Sequence, residues 1–212
     1  MYIWLIFLGI VDLKSQDKES TSTEESTFIV DYQENPKFTG REAFLLTLKQ
    51  KLFDQIPKKH NHRVALYGMG GIGKTQTALR YVYTNKTTYE KIYWVTAVDQ
   101  ASLLSGYRKI AKAACLKIAS VSDTTEIAEK VLQWLRREQS WLIVLDNLDD
   151  ISVVQGLLPE NGPRKHTLIT TRNPNSEGIP AEGLEVSLLD PVDAVDLLST
   201  LSNVAIVSDS PE

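Results

Sequence analysis

The feature that most constrains the fold of this chain is a glycine-rich octapeptide between a short apolar run and an amphipathic segment. It reads Gly-Met-Gly-Gly-Ile-Gly-Lys-Thr at residues 68–75, with the Walker A spacing Gly-x-x-x-x-Gly-Lys-Thr. Residues 64–67 before it predict a strand, and residues 74–83 after it predict a helix. A strand, a tight glycine turn and a helix in this order form a cradle for phosphate groups. The sequence therefore predicts an α/β domain that binds a nucleotide.

The residues of the octapeptide have separate expected tasks. The glycines allow backbone conformations that other residues avoid, so that successive amides converge on the phosphate oxygens. Lys74 is expected to reach the β- and γ-phosphates, and the Thr75 hydroxyl is expected to bind Mg²⁺. The side chains of Met69 and Ile72 are expected to serve packing. The residues predicted to contact the nucleotide here are Gly68, Met69, Gly70, Gly71, Ile72, Gly73, Lys74, Thr75 and Gln76.

A second motif places a carboxylate at the end of an apolar run. Residues 141–145 read Trp-Leu-Ile-Val-Leu and are followed by Asp146, which is the form of a Walker B strand. Mg²⁺ prefers anionic oxygen ligands, and a buried carboxylate needs a partner. Asp146 is therefore expected to hold the ion together with Thr75 and to contribute to catalysis with Lys74.

The residues after Asp146 leave the chemistry of hydrolysis open. Asn147 follows directly and, as an amide, cannot act as a general base. Asp149 is a candidate catalytic residue, because Asp149 or Asp150 could activate water if the turn brings one of them within hydrogen-bond reach. An acidic cap on a surface turn explains both carboxylates equally well.

A third polar group follows the run at residues 167–171, which predicts another strand. Arg172 comes directly after this strand. The carboxyl ends of parallel strands meet at one edge of a sheet, so Arg172 and Asp146 are expected near the same phosphate site. Arginine has a permanent charge and a fork of donors that suit a terminal phosphate. On chemistry alone, an exposed structural arginine is an equally good interpretation.

Strand and helix patterns alternate from residue 63 onward, which is typical of a parallel sheet covered by helices on both faces. We predict an α/β three-layer sandwich of the P-loop NTPase type with a five-stranded parallel sheet. The predicted strands cover residues 64–67, 92–96, 141–145, 167–171 and 184–188. The predicted helices between them cover residues 74–83 and 102–118, with a third that begins near residue 123.

The first 27 residues differ in composition from the rest of the chain. Residues 1–11 are apolar, but they fall short of the ~20 residues that a membrane-spanning helix needs. A signal peptide, an added strand or helix, and sequence that does not belong to the protein remain the alternatives. Residues 14–27 are polar and charged, so they cannot bury enough apolar surface to fold. We predict a flexible, disordered linker ahead of a domain that begins at residue 28.

Charge and cysteine content exclude some functions. The net charge of −4 and the pI near 5.5 supply no basic field for a nucleic acid, so no such partner is expected. The single cysteine, Cys115, cannot form an internal disulfide and suggests a reducing compartment. Cys115 is expected as a small buried group within a helix. We predict a cytoplasmic protein without a membrane span.

Together with residues 35–42, Asn-Pro-Lys-Phe-Thr-Gly-Arg-Glu, these motifs resemble the NB-ARC class of signal-transducing NTPases. This class occurs in apoptotic adaptors and in plant and fungal NOD-like receptors of innate immunity. The resemblance covers residues 36–201 in matching order and spacing. It implies that Phe38 and Gly40 lie beside an adenine base and that Arg41 has a polar role nearby.

The resemblance also implies roles at the other end of the site. The Thr-Thr-Arg triplet would make Arg172 the sensor of the γ-phosphate, and residues 188–198 would begin a helical lid. The implied arrangement is an N-terminal segment at 1–27, a nucleotide-binding domain at 28–188 and a truncated lid at 189–212. The sequence reaches Glu212 before the remaining lid segments of the family. We therefore expect either a fragment of a larger receptor or a shortened protein.

The function that the resemblance implies is a regulatory switch. ADP would hold a closed state, and ATP with Mg²⁺ would favour self-association or pairing with other NB-ARC proteins. Hydrolysis would be slow or absent, because Asn147 stands where the family often has a second acidic residue. Two alternatives remain: an active P-loop ATPase or phosphotransferase, and a non-catalytic scaffold that holds a structural nucleotide.

Overall fold

Four stretches of the chain are described by the computed structural model. They are residues 26–56, 58–118, 123–174 and 178–202. The predictions for the apolar residues 1–11 and for most of the polar linker lie outside the described residues. The end of the predicted linker is wrong by one residue, because Thr27 already belongs to a strand.

A parallel sheet forms the centre of the described fold. Its strand order is β1-β3-β4-β5-β2-β6, and every neighbouring pair is parallel. The α/β sandwich is confirmed, although the described residues contain six strands instead of the five predicted. The strands are β1 (Thr27–Ile29), β2 (Arg63–Tyr67), β3 (Lys91–Thr96), β4 (Trp141–Asp146), β5 (Lys165–Thr171) and β6 (Glu182–Glu185).

The two edge strands account for the differences from the prediction. β1 pairs with β3 through three residues only, which is too short a run to show a strand period. The last strand was predicted at residues 184–188, but β6 lies two to three residues earlier. Its register is set by pairing with β2, from Val64 opposite Glu182 to Tyr67 opposite Glu185. Leu188 lies beyond this pairing and is exposed.

Helices cover both faces of the sheet in the described residues. They are α1 (Glu42–Phe53), α2 (Lys74–Thr84), α3 (Gln100–Ala113) and α4 (Thr124–Arg137). A fifth helix, α5 (Pro191–Ser202), has no buried residue, and a 3₁₀ turn lies at Ile151–Val154. Side chains alternate between the two faces of a strand. In β3, Tyr93 and Val95 pack with α3 and α4, whereas Ile92 and Trp94 pack with α1 and α2. The result is the predicted three-layer sandwich.

Helix α3 is shorter than the predicted segment 102–118. It ends at Ala113, and the chain then turns through Cys115, which has a left-handed φ of 50°. The amide of Leu116 donates to the carbonyl of Ala111 at 3.0 Å, which is the bond that closes a helix end of this type. Cys115 is exposed, so the expectation of a small buried group was wrong. No helix among the described residues is long and apolar enough to cross a membrane.

A close approach between α3 and β3 gives a testable prediction about stability. A Cβ on Gly106 would lie 2.4 Å from Cγ1 and 3.1 Å from Cβ of the buried Val95. Gly-to-Ala changes within helices usually stabilise, but here α3 must move away from the sheet. We expect Gly106→Ala to lower the free energy of unfolding by about 1–3 kcal/mol, measured by urea denaturation. Gly162→Ala is the control, because its Cβ would meet its nearest neighbour at 3.8 Å. An unchanged or higher urea midpoint for Gly106→Ala would contradict the prediction.

Candidate nucleotide-binding site

The glycine loop connects β2 to α2 at the carboxyl edge of the sheet. Gly68, Gly71 and Gly73 have φ values of 145°, 79° and 97°, a region that favours glycine. Helix α2 begins at Lys74, and its N-cap, Gly73, supplies no side-chain hydrogen bond. The first amides of a helix have no partner within the helix, so they are available to an anion together with the positive end of the helix dipole.

The Lys74 side chain lies across this loop. Its Nζ donates to the carbonyl oxygens of Gly68 and Met69, both at 2.8 Å, and only 7% of the residue is exposed. Burial lowers the pKa of Lys74, while the carboxylates of Asp149 and Asp146 act in the opposite direction. The loop therefore holds an ammonium group beside the amides that could bind phosphate.

Asp146 ends β4 and is 1% exposed. Its Oδ1 accepts hydrogen bonds from two hydroxyls, Thr75 Oγ1 at 3.0 Å and Thr170 Oγ1 at 2.6 Å. The second carboxylate oxygen takes part in neither bond. A carboxylate and a hydroxyl in contact are hard oxygen ligands, so Thr75 and Asp146 fit a magnesium ion that completes its shell with phosphate oxygens and water. The predicted pair is thus brought together.

Asn147 leaves β4 in a left-handed conformation with φ of 61°, which asparagine tolerates better than most residues. Its backbone amide donates to Thr170 Oγ1 at 2.9 Å. Thr170 therefore links the carboxylate of Asp146 to the backbone of the next residue. Sequence reasoning placed Thr170 in a motif but gave it no such task, because the contact requires β4 and β5 to be neighbours.

Asp149 is bound by Arg172. Its Oδ1 accepts from the Arg172 amide at 2.6 Å and from Thr171 Oγ1 at 3.3 Å, and its Oδ2 accepts from Arg172 Nε at 2.6 Å. Burial works against ionisation, but the hydrogen bonds and charge of Arg172 outweigh it and lower the pKa of Asp149. A low pKa makes Asp149 a weak general base. Asp150, in contrast, caps the 3₁₀ turn by accepting from the Ser152 amide at 2.9 Å.

Most of the glycine-loop residues predicted to contact the nucleotide line one cavity of about 410 Å³, whereas Gly68, Met69 and Ile72 do not line it. Arg172 lines this cavity together with the start of α2, and its side chain is 72% exposed. Asn147 lines the same cavity. The lining residues are Gly70, Gly71, Gly73, Lys74, Thr75, Gln76, Asn147 and Arg172.

A second cavity of about 550 Å³ adjoins the first, and both are lined by Gly71, Gly73 and Gln76. Its remaining wall is formed by the segment before α1 and by the start of α5. Phe38 and Arg41, predicted beside the base, line it. Its other lining residues are Asn35, Lys37, Thr39, Ile72, Leu188, Leu189, Ala194 and Leu197.

Gly40 packs closely against α5, and its place beside the base stays a prediction. It does not line the second cavity, and a Cβ placed on it would overlap Asp193 Oδ2, at 1.9 Å. Its φ of 71° and its missing side chain let α5 approach the segment before α1. Asp193 is a contact that sequence reasoning missed, because it is far from Gly40 in the chain.

Arg41 connects three parts of the site. Its Nη2 donates to the carbonyl of Ile72 in the glycine loop at 3.0 Å and to the carbonyl of Ser187 ahead of α5 at 2.8 Å. Partial burial lowers the pKa of Arg41, and the charge of Asp193 opposes this shift. The guanidinium therefore bridges the loop and the approach to α5.

Met69 and Gln76 are the remaining residues of the glycine loop and α2 that were predicted to contact the nucleotide. Met69 is 72% exposed, so its side chain does not have the packing role expected of it, whereas Ile72 packs against buried apolar residues around α2. Gln76 Oε1 accepts from Asn35 Nδ2 at 3.0 Å. Asn35 was quoted in the upstream motif without a role, and this bond ties that motif to α2.

Comparison with known proteins adds to this geometry. A family model described as "NB-ARC domain" matches residues 41–207. A nucleotide-binding leucine-rich repeat (NLR)-like protein of Hyaloscypha variabilis is 27% identical over 139 residues, which make up 63% of this chain and 14% of that protein. The chain thus matches only a small part of the relative's length.

Two solved structures share the fold. Cdc6p from Pyrobaculum aerophilum has 18% identity and a TM-score of 0.56, over 81% of this chain and 52% of that one. The Aeropyrum pernix ORC2 protein, in ADPNP-ADP complexes, has 13% identity and a TM-score of 0.53, over 86% of this chain and 57% of that one. At such identities the likeness concerns the fold alone. The family match extends over most of the sequence, from Arg41 onward, and the chain therefore belongs to the NB-ARC family.

Proposed function

We propose that this protein binds ADP and ATP with Mg²⁺ and acts as a regulatory switch. The observation that carries the proposal is the pair of adjoining cavities, one lined by the glycine loop and Arg172 and the other largely apolar. A nucleotide has a charged phosphate chain, which suits the cavity of the glycine loop and Arg172, and a flat base, which suits the apolar cavity. The shared residues Gly71, Gly73 and Gln76 would lie where the ribose joins them.

The apolar cavity suits a base for two reasons. Phe38, Ile72 and the apolar residues at the start of α5 provide surface that would remove the faces of a flat ring from water. The guanidinium of Arg80 lies 5.9 Å from the centre of the Phe38 ring, which steadies that ring by a cation–π contact. The family implies that the base is adenine.

At the phosphate end, Lys74 would exchange its bonds to loop carbonyls for bonds to phosphate oxygens. Thr75 and Asp146 would hold magnesium, which supplies neutralisation of the phosphate charge when bound. Arg172 would contact the γ-phosphate, which ATP has and ADP lacks. A switch requires different affinities of its two states for the two nucleotides, and a residue that contacts only the third phosphate supplies that difference.

The nucleotide would also influence α5. Ala194 and Leu197 of this helix line the apolar cavity. Thr200 is also in α5, and its carbonyl accepts a hydrogen bond from Lys37 Nζ at 3.3 Å. Arg41 links the glycine loop to the approach to α5. We propose residues 28–188 as the nucleotide-binding unit and residues 189–212 as the start of a lid whose position responds to the bound nucleotide.

Hydrolysis would be slow or absent. Asn147 cannot act as a base, and Asp149 is held by Arg172 with a lowered pKa. ATP would therefore persist long enough to favour self-association or pairing with a related protein in the cytoplasm, with any hydrolysis acting as a reset.

The experiment that tests the proposal is titration of the chain with ADP and with ATP in the presence of Mg²⁺. Calorimetry would give both affinities, and light scattering would follow the molar mass in the same samples. We expect binding of both nucleotides, different affinities, and a mass increase with ATP only. Turnover at about 1 s⁻¹ or faster would favour an active ATPase instead. Equal affinities for ADP and ATP with no change in molar mass would favour a scaffold that holds a structural nucleotide.

A further inference from the structure

The contact between Asp149 and Arg172 suggests a task for Asp149 other than base catalysis. Both carboxylate oxygens of Asp149 are occupied by Arg172, one by its main-chain amide and one by Nε, each at 2.6 Å. Thr171 Oγ1 adds a third donor at 3.3 Å. A water-activating base needs an oxygen directed at water, whereas these bonds direct the carboxylate at the arginine.

The arginine needs such support. Its side chain is 72% exposed, and a long exposed side chain loses rotamer entropy when it binds a ligand. The hydrogen bond from the main-chain amide to Asp149 fixes the backbone of Arg172. The hydrogen bond from Nε to Asp149 fixes the plane of the guanidinium. The Cδ of Arg172 lies 3.9 Å from the position that a Cβ on Gly70 would take, so the side-chain stem passes close to the glycine loop.

The bonds to Asp149 leave the phosphate-binding part of Arg172 available. The two terminal nitrogen groups of the guanidinium take no part in these hydrogen bonds. Arg172 lines the first cavity, here called the phosphate cavity, with Lys74 and Thr75. A guanidinium held at Nε can present its terminal donors as a fork to phosphate oxygens. An arginine ordered before the ligand arrives binds more tightly than one that must become ordered on binding.

We propose that Asp149 is a positioning residue that holds Arg172 toward the phosphate cavity and so sets the preference for nucleoside triphosphate over diphosphate. The inference rests on the proposed nucleotide switch and deepens it. It implies that Asp149 acts through Arg172 alone, without contact to the nucleotide.

The opposite effect of Asp149 is also physically conceivable and gives the proposal a sharp test. The carboxylate is an anion beside a site for the anionic phosphate chain, so it could compete with the γ-phosphate for Arg172. In that case its removal would strengthen ATP binding. Our proposal requires that removal weakens it, since the ordering of the arginine outweighs the competition.

The test compares Asp149→Asn with Asp150→Asn in the full chain. Each variant removes one negative charge from adjacent positions, and asparagine preserves the cap at residue 150. In Asp149→Asn, the NH₂ group that replaces one oxygen cannot accept a hydrogen bond from Arg172. Affinities for ADP and for an ATP analogue with a non-hydrolysable β–γ link, both with Mg²⁺, would be measured by calorimetry. Thermal melting without nucleotide would show whether each variant is folded.

We expect Asp149→Asn to lose about tenfold in affinity for the ATP analogue and less than about twofold for ADP, a range typical of coupling energies. Asp150→Asn should change neither. In an Arg172→Ala background, Asp149→Asn should have no further effect, because its target is gone. Unchanged or tighter binding of the ATP analogue by Asp149→Asn, or an equal loss in the Arg172→Ala background, would overturn the inference. Failure of the unmodified chain to bind either nucleotide would instead overturn the proposed function.

Discussion

Replacing Lys74 by alanine should lower the affinity for Mg·ATP by about a thousandfold. On the proposed role, the ammonium makes at least two charge-assisted hydrogen bonds to the β- and γ-phosphates, each worth about 1.5–3 kcal/mol. Only 7% of the residue is exposed, and its side chain already lies across the loop at the carbonyls of Gly68 and Met69. Little ordering is therefore needed before it binds phosphate. Calorimetric titration with Mg·ATP measures the loss directly.

The control for this prediction is Lys130→Ala. Lys130 lies on α4 in an ion pair with Glu126, away from both cavities, and its removal changes the net charge by the same amount. We expect its affinity for Mg·ATP to stay within about twofold of the unmodified chain, because exposed ion pairs contribute little. If Lys74→Ala melts normally and still binds Mg·ATP as tightly as Lys130→Ala, the glycine loop does not hold phosphate in the proposed way.

Asp146→Asn should remove the dependence of ATP affinity on magnesium. In the unmodified chain we expect Mg²⁺ to raise the affinity by about a hundredfold, because the buried carboxylate is an anionic ligand for the ion. Asparagine can still accept hydrogen bonds from the hydroxyls of Thr75 and Thr170, which now meet Asp146 Oδ1 at 3.0 and 2.6 Å. The fold should therefore survive while the anionic ligand is lost. Titrations with ATP, in excess Mg²⁺ and in EDTA, measure the difference.

The titration in EDTA is the internal control. Without magnesium, Asp146→Asn and the unmodified chain should bind ATP with affinities within about threefold, and the variant should not be weaker, because a buried negative charge next to the phosphates has been removed. A magnesium effect of the same size in both proteins would show that Asp146 does not hold the ion. Equal losses in Mg²⁺ and in EDTA would indicate a damaged loop instead.

The parts of the site that were predicted from the sequence are those encoded by short segments. Glycines at fixed spacing with a lysine and a threonine predicted the turn from β2 into α2, and the backbone angles of Gly68, Gly71 and Gly73 require glycine as expected. The apolar run of β4 predicted where Asp146 would emerge. The alternation of strands and helices predicted the parallel sheet. Each of these signals can be read from the order of residues along the chain, without knowledge of which segments pack together.

The predictions that failed concern segments whose pattern is short or whose partner is distant. β1 has three residues, and β6 takes its register from β2 instead of from its own apolar residues. Cys115 was expected within a helix, but α3 ends before it in a left-handed turn. The close approach of Gly40 to Asp193 was also not predictable, because Asp193 lies on a helix far along the chain.

The sequence by itself determined the family, the α/β class and the phosphate loop, because local spacing specifies backbone shape and delivers particular side chains to strand ends. The tertiary structure decided which of those side chains meet. The order β4-β5-β2 brings Thr75 and Thr170 onto one oxygen of Asp146 and turns Asp149 toward Arg172. Hydrogen bonds and ion pairs act over a few ångströms. The role of a carboxylate therefore depends on which strand lies beside it and which partners that strand supplies.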